Sequence, residues 1–277
     1  MFVTDALARP KHLPDFMAPP LNEVVIGVQF AAPQGYQQIR AGEVWSLFKQ
    51  RYPQVQELPP LPPAFETFGL PHQHSPMLPQ FSLRTGGTHD RFWFLRPDGD
   101  ELIQFQQDRL MHNWRKVGDG SNGYPRYESM IGEFKNELTE LQSYMNSLVP
   151  QALSINQCEI SYINHIRFDR EDDNGFSAWL RFLNFSKDSP DDFVMNFREV
   201  IKDSSARPMG RLYVEAALGY LPSGNEIIAL SLTVKGAPLG TDIESALEFL
   251  SNGREVIVQR FAELTTDQAH KKWERVN

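Results

Sequence analysis

Only one cysteine, Cys158, occurs among the 277 residues. An intrachain disulfide is therefore excluded, as are zinc sites built from several thiolates, and the usage fits a reducing cytoplasm. Cationic excess is lacking too: 27 Lys and Arg stand against 35 Asp and Glu, a net charge of −8. That balance disfavours a general nucleic-acid scaffold, which needs Lys and Arg for the phosphates. No run approaches the roughly 20 apolar residues that span a bilayer. The opening "MFVTDALARPKHLPDFMAPP" shows no continuous apolar core of a secretory signal. The expectation is a cytoplasmic protein with no membrane partner. The phosphate-cradling G-x-x-x-x-G-K-[ST] and G-x-G-x-x-G, the zinc motif H-E-x-x-H and the hydrolase elbow G-x-S-x-G are all missing. No catalytic residue, metal or cofactor is assigned, and the chain is read as not an enzyme.

What is present reads as α+β. Residues 1–20, with four prolines, form an extended tail. "NEVVIGVQF" then alternates as a strand, and "AGEVWSLFKQRY" places Val44, Trp45, Phe48 and Tyr52 on a helical stripe. Eight prolines between Pro53 and Pro79 exclude a helix or central strand there, leaving a polyproline-like strap that either covers the surface or docks a partner. "FSLRT", "RFWFLR", "ELIQFQQ" and "RLMHNWRKV" follow as strands, with Asp98-Gly99 marking a hairpin turn. Ile131, Phe134, Leu138, Leu141, Met145 and Leu148 predict a long helix.

The second half begins again, with "INQCEISYINHIRF" as a strand, "FSAWLRFL" as a short helix and "DFVMNFREVI" as a strand. The hairpin "RLYVEAALGYLPSGNEIIALSLTV" precedes a long helix opened by a Thr241/Glu244 capping box, with a weak point at Asn252-Gly253. A last helix is capped by Thr265 with Gln268. Residues 21–150 and 151–277 thus form two halves of one unit, each running strand, helix, strand, hairpin of two strands and long helix. The expected fold is a duplication of β-α-β-β-α units at a period of roughly 120–135 residues. They would join as a pseudo-twofold antiparallel sheet with the long helices on one face.

"PPLNEVVIGVQF", "PDGDELIQFQQDRL", "YPRYESM", "SYINHI" and "FAELTTDQAHKKW" together resemble a family of sporadically distributed, uncharacterised bacterial proteins of about 250–280 residues. The resemblance implies no reaction and no residue roles. The patchy distribution of that family is the kind seen for accessory genes, including antiviral, anti-phage defence.

Two polar clusters stand out. On "RLMHNWRKV", Leu110, His112, Trp114 and Lys116 share one face, and Arg109, Met111, Asn113 and Arg115 the other. Arg109, Asn113 and Arg115 form a row suited to an anionic group, with Trp114 as a stacking surface, or else the outward cations of an edge strand. Tyr162, Asn164 and His165 form the second cluster. Asn164 on an apolar face is either a buried amide bonded to backbone or an inward ligand contact. "HQH" at His72–His74 lacks an acidic neighbour to orient a ring, and Cys158 in an apolar strand is read as packing.

The expected function is a non-enzymatic binding or regulatory protein, a partner subunit in a bacterial accessory or defence system. Its partner would be another protein or a second copy of the chain. The alternative is a sensor of a small anionic ligand or nucleotide, held between sheet and helices.

Overall fold

The computed structural model describes residues 9–69, 90–118, 120–168, 175–183 and 190–277. The predicted strand "FSLRT" and the "HQH" of the strap lie outside them. The strands are β1 (Leu21–Phe30), β2 (Gln54–Leu58), β3 (Arg91–Leu95), β4 (Glu101–Gln106), β5 (Arg109–Arg115), β6 (Ile155–Arg167), β7 (Val194–Lys202), β8 (Pro208–Tyr220) and β9 (Glu226–Gly236). Among the described residues there are four α-helices, α1 (Ala41–Phe48), α2 (Tyr127–Leu148), α3 (Ile243–Leu264) and α4 (Asp267–Lys272). None of these is long and apolar enough to cross a membrane.

The strands form one nine-stranded sheet in the order β2-β3-β4-β5-β1-β6-β9-β8-β7, antiparallel at every pairing. The fold is therefore α+β. Alternation sends Val24, Ile26, Val28 and Phe30 of β1 into the core, where Phe134, Leu138 and Leu141 of α2 are also fully buried. Helix α2 packs on β5, while α3 packs on β6 and β9.

The opposite face carries the strap. A proline-rich backbone makes no internal hydrogen bonds, so its carbonyls need donors from elsewhere. Side chains of the sheet bond the strap from strand to strand, donating to its carbonyls or accepting from its N–H groups. Arg91 of β3 donates to Pro59 O (3.1 Å), and the Gln106 amide of β4 brackets Leu61, donating to its O (2.9 Å) and accepting from its N (2.8 Å). Arg109 of β5 donates to Pro62 O (3.0 Å). Ala64 N donates to Gln29 of β1 (3.0 Å), Glu66 N to Gln157 of β6 (3.3 Å), and Arg211 of β8 to Thr67 O (3.0 Å). Residues 59–67 thus run across the sheet from β3 to β8, as a cover.

Several local expectations are corrected. "FSAWLRFL" yields only a 3-10 turn at Gly175–Ala178. Asp242, not Thr241, caps α3, accepting from Ser245 N at 2.8 Å. Thr266, not Thr265, caps α4, accepting from Ala269 N. Helix α3 runs unbroken through Gly253, where a Cβ would stand 2.9 Å from Ile160 Cγ2. The glycine marks close approach of helix to sheet. β5 is an interior strand between β4 and β1, so the edge-strand reading of "RLMHNWRKV" does not hold.

Candidate functional site

Where β1 begins and β6 ends, the pairing slips between Leu21 and Glu23, opposite Asn164 and Ile163. Such irregularities splay a sheet locally. Two adjoining cavities lie there, of about 70 and 280 Å³, both lined by Phe16, Pro19, Leu21, Tyr124 and Arg126. The smaller also touches Arg9, Tyr162, Asn164 and Phe261, and the larger Trp114, Lys116 and Gly120–Gly123.

The roof is the N-terminal segment, which the other end of the chain holds in place. Phe16 bridges to Arg275, Met17 N and Ala18 N donate to Glu274 O and Trp273 O, and Val276 N donates to Asp15 O. The Phe16 ring stands edge-on to Phe261, His270 and Trp273. One wall is the turn between β5 and α2. Asn122 staples it, accepting from Val117 N (3.1 Å) and donating to Arg115 O (2.9 Å).

The lining is rich in donors. Arg126 pairs with Asp15 at 2.9 Å, and Arg9 lies 3.4 Å from the same carboxylate. Behind them Arg254, 2% exposed, donates to Glu128 (3.0 Å) and lies 5.3 Å from the centre of the Tyr127 ring. Arg9 Nε, Arg254 Nε and Trp114 Nε1 are buried with no hydrogen-bond partner among the described residues. The Tyr124 and Tyr162 hydroxyls are 3.1 Å apart. Burial pushes both up from the ordinary tyrosine range, so each stays protonated at neutral pH. Unmatched buried donors ask for an acceptor-rich group, and a carboxylate or phosphate oxygen is one.

Arg126 itself is strained. It precedes α2 with φ 73° and ψ 151°, a region populated almost only by glycine. The backbone is bent so that the guanidinium reaches Asp15 and the cavity mouth.

Three residues expected from sequence meet here: Trp114, Tyr162 and Asn164. Asn164 Nδ2 donates to Leu230 O (3.2 Å), so this amide is bonded to backbone as well as lining the cavity. His165 points to the other sheet face, and burial and nearby Arg167 and Lys116 lower its pKa. Arg109, Asn113 and Arg115 also lie on that other face and are engaged. Arg109 holds Asp108, Gln29 and the strap. Asn113, 2% exposed, sits between Glu23 (2.7 Å) and Gln104 (3.0 Å). Arg115 donates to Gly99 O (3.0 Å) and covers the Trp93 ring.

Sequence reading missed Arg9, Tyr124 and Arg126 as lining residues. The available signal was the glycine-rich turn "GSNGYPR" between a strand and a helix, with cations on both flanks. Comparison with family models, with curated proteins and with solved structures finds no match to this chain.

Proposed function

We propose that this protein is a non-enzymatic sensor of a small anion, held beneath the N-terminal segment. The observation that carries this reading is the pair of buried donors without a partner among the described residues, Arg9 Nε and Trp114 Nε1, on two adjoining cavities whose described linings together have three cations, Arg9, Lys116 and Arg126, and one carboxylate, Asp15. A cavity of about 280 Å³ suits a phosphate or short carboxylic acid, with Trp114 and Tyr124 available to an attached ring. Binding would tie the roof to the β5–α2 turn, and that ordering is what a partner subunit would read. The test is differential scanning fluorimetry with inorganic phosphate, at low and high NaCl. Phosphate raises the melting temperature of the native protein, and the shift shrinks with salt as charge pairing is screened. In Arg126→Gln the shift is lost. An equal shift in both proteins, or none in either, overturns the reading.

The duplication belongs with this proposal. The order β3-β4-β5-β1 on one side of the β1–β6 seam is answered by β7-β8-β9-β6 on the other, and each set ends in a long helix, α2 or α3. That symmetry supports two related units. The best-matching hairpins of the sequence nonetheless sit one strand out of step, since β3–β4 lies one place further from the seam than β8–β9. Strand β2 has no counterpart among the described residues.

A further inference from the structure

A second polar cluster lies under α2 and takes no part in the anion cavity. His112 points from β5 into the helix-facing core, its side chain wholly buried. Its Nδ1 lies 3.0 Å from Glu137 of α2, and the other Glu137 oxygen accepts from the Tyr52 hydroxyl at 2.8 Å. The opposite ring nitrogen, Nε2, has no hydrogen-bond partner among the described residues. It faces Glu101 of β4 at 3.6 Å, beyond hydrogen-bonding range. Glu133, one turn before Glu137 on α2, completes the group: ligand atoms of Glu101, His112 and Glu133 all lie within 4.8 Å of one another.

We infer that Glu101, His112 and Glu133 form a binding site for one divalent transition-metal ion, with Zn²⁺ the best fit. The His112 ring is oriented as metal-ligating imidazoles are, with one nitrogen on a carboxylate that is itself hydrogen-bonded and the other aimed at the ligand position. One imidazole with two carboxylates favours zinc over magnesium, which takes oxygen ligands and keeps its water. The charges agree. Glu101, Glu133 and Glu137 bring three carboxylates, and Arg96, which bridges Glu101 (2.8 Å) and Glu133 (2.9 Å), brings one guanidinium. Two negative charges remain; a proton on His112 offsets one of them, and a divalent ion offsets both. Arg96 is partly exposed and can swing outward as the ion enters. To reach zinc bonds of about 2.1 Å the side chains need close by only about an ångström.

The test uses the full chain, stripped with a chelator, dialysed, and titrated calorimetrically with Zn²⁺, with Mg²⁺ as control. One Zn²⁺ binds per chain and Mg²⁺ does not. Glu133→Gln, on a half-exposed helix position, weakens that event at least tenfold. Arg96→Gln strengthens it, because the competing cation is gone. As a second readout on the native chain, one equivalent of Zn²⁺ moves the ¹⁵N signals of a single buried histidine ring. No uptake, or uptake that Glu133→Gln leaves unchanged, overturns the site. The cluster is then a purely structural ion network, in which Arg96→Gln lowers stability and brings no gain in affinity.

Discussion

Arg126 shows how much a single backbone position can store. A non-glycine residue at φ 73° and ψ 151° costs about 1–3 kcal/mol. Its ion pair with Asp15 is partly exposed, and such pairs return about 1 kcal/mol or less. The conformation is thus stabilised by its surroundings and not by its own contacts, as expected where geometry serves a ligand. Arg126→Gly should be at least as stable as the native protein in urea unfolding, since glycine accepts both the dihedrals and the helix-capping position. It should at the same time lose the phosphate-induced melting shift. A variant less stable by more than about 1 kcal/mol would show that the strain has been misjudged. None of this was legible beforehand, because a left-handed arginine has no sequence signature. Trp114, Tyr162 and Asn164 were legible, because strand alternation assigns faces wherever a strand is recognised. Which face carried the cavities depended on where the strap and the N-terminal segment lay.

At the level of elements, two helical glycines make a controlled comparison. Gly132 of α2 is exposed, and a Cβ there meets nothing within 4 Å. Gly132→Ala should stabilise by about 0.5–1 kcal/mol through helix propensity. Gly253 of α3 faces Ile160 Cγ2 at 2.9 Å and Val234 Cγ1 at 3.1 Å, two β-branched side chains fixed in the sheet. Gly253→Ala should gain the same propensity yet lose about 1–3 kcal/mol to overpacking, for a net loss. Urea midpoints of the two variants, moving in opposite directions, would bear this out; stabilisation in both would mean that α3 sits further from the sheet than described. The same contrast explains what the sequence pattern conveyed. The β3–β4 hairpin was legible because Asp98-Gly99 supplies the positive φ of a tight turn. Helices α2 and α3 were legible from their apolar stripes. Strand β2 was not, because "QVQEL" is short, exposed and flanked by prolines, and pairs only at an edge. Gly253 read as a weak point because propensity is visible in sequence, whereas close approach is not.

For the whole molecule, the two halves share one sheet through the β1–β6 pairing, and residues 15–18 and 273–276 lock together over its open corner. His270 sits at that lock. One ring nitrogen, Nδ1, is 3.1 Å from Arg275 Nη1 and so accepts; the other donates to Thr265 Oγ1 at 2.8 Å, which in turn donates to Phe261 O. Only the neutral ring can do both. Burial lowers its pKa below the ordinary 6.5; Arg275 lowers it further, Asp267 opposes that in part, and Arg181 adds a smaller lowering. Below pH 6.5 the unfolded chain therefore takes up a proton at His270 that the folded one refuses, so the contribution of this group to stability is complete above 6.5 and is lost as the pH drops through the folded-state value. His165, shifted the same way, adds to that slope, and the His270 share is read as the difference from His270→Gln. Because Phe16 packs on the His270 ring, acidification should also open the roof of the cavity. Amide hydrogen exchange at Met17 and Ala18, which bond to Glu274 and Trp273, should then speed up between pH 7 and 5.5 beyond the intrinsic pH effect. In His270→Gln it should be fast at both. Exchange that tracks only the intrinsic rate in the native protein would show that the lock does not depend on the charge state of this ring.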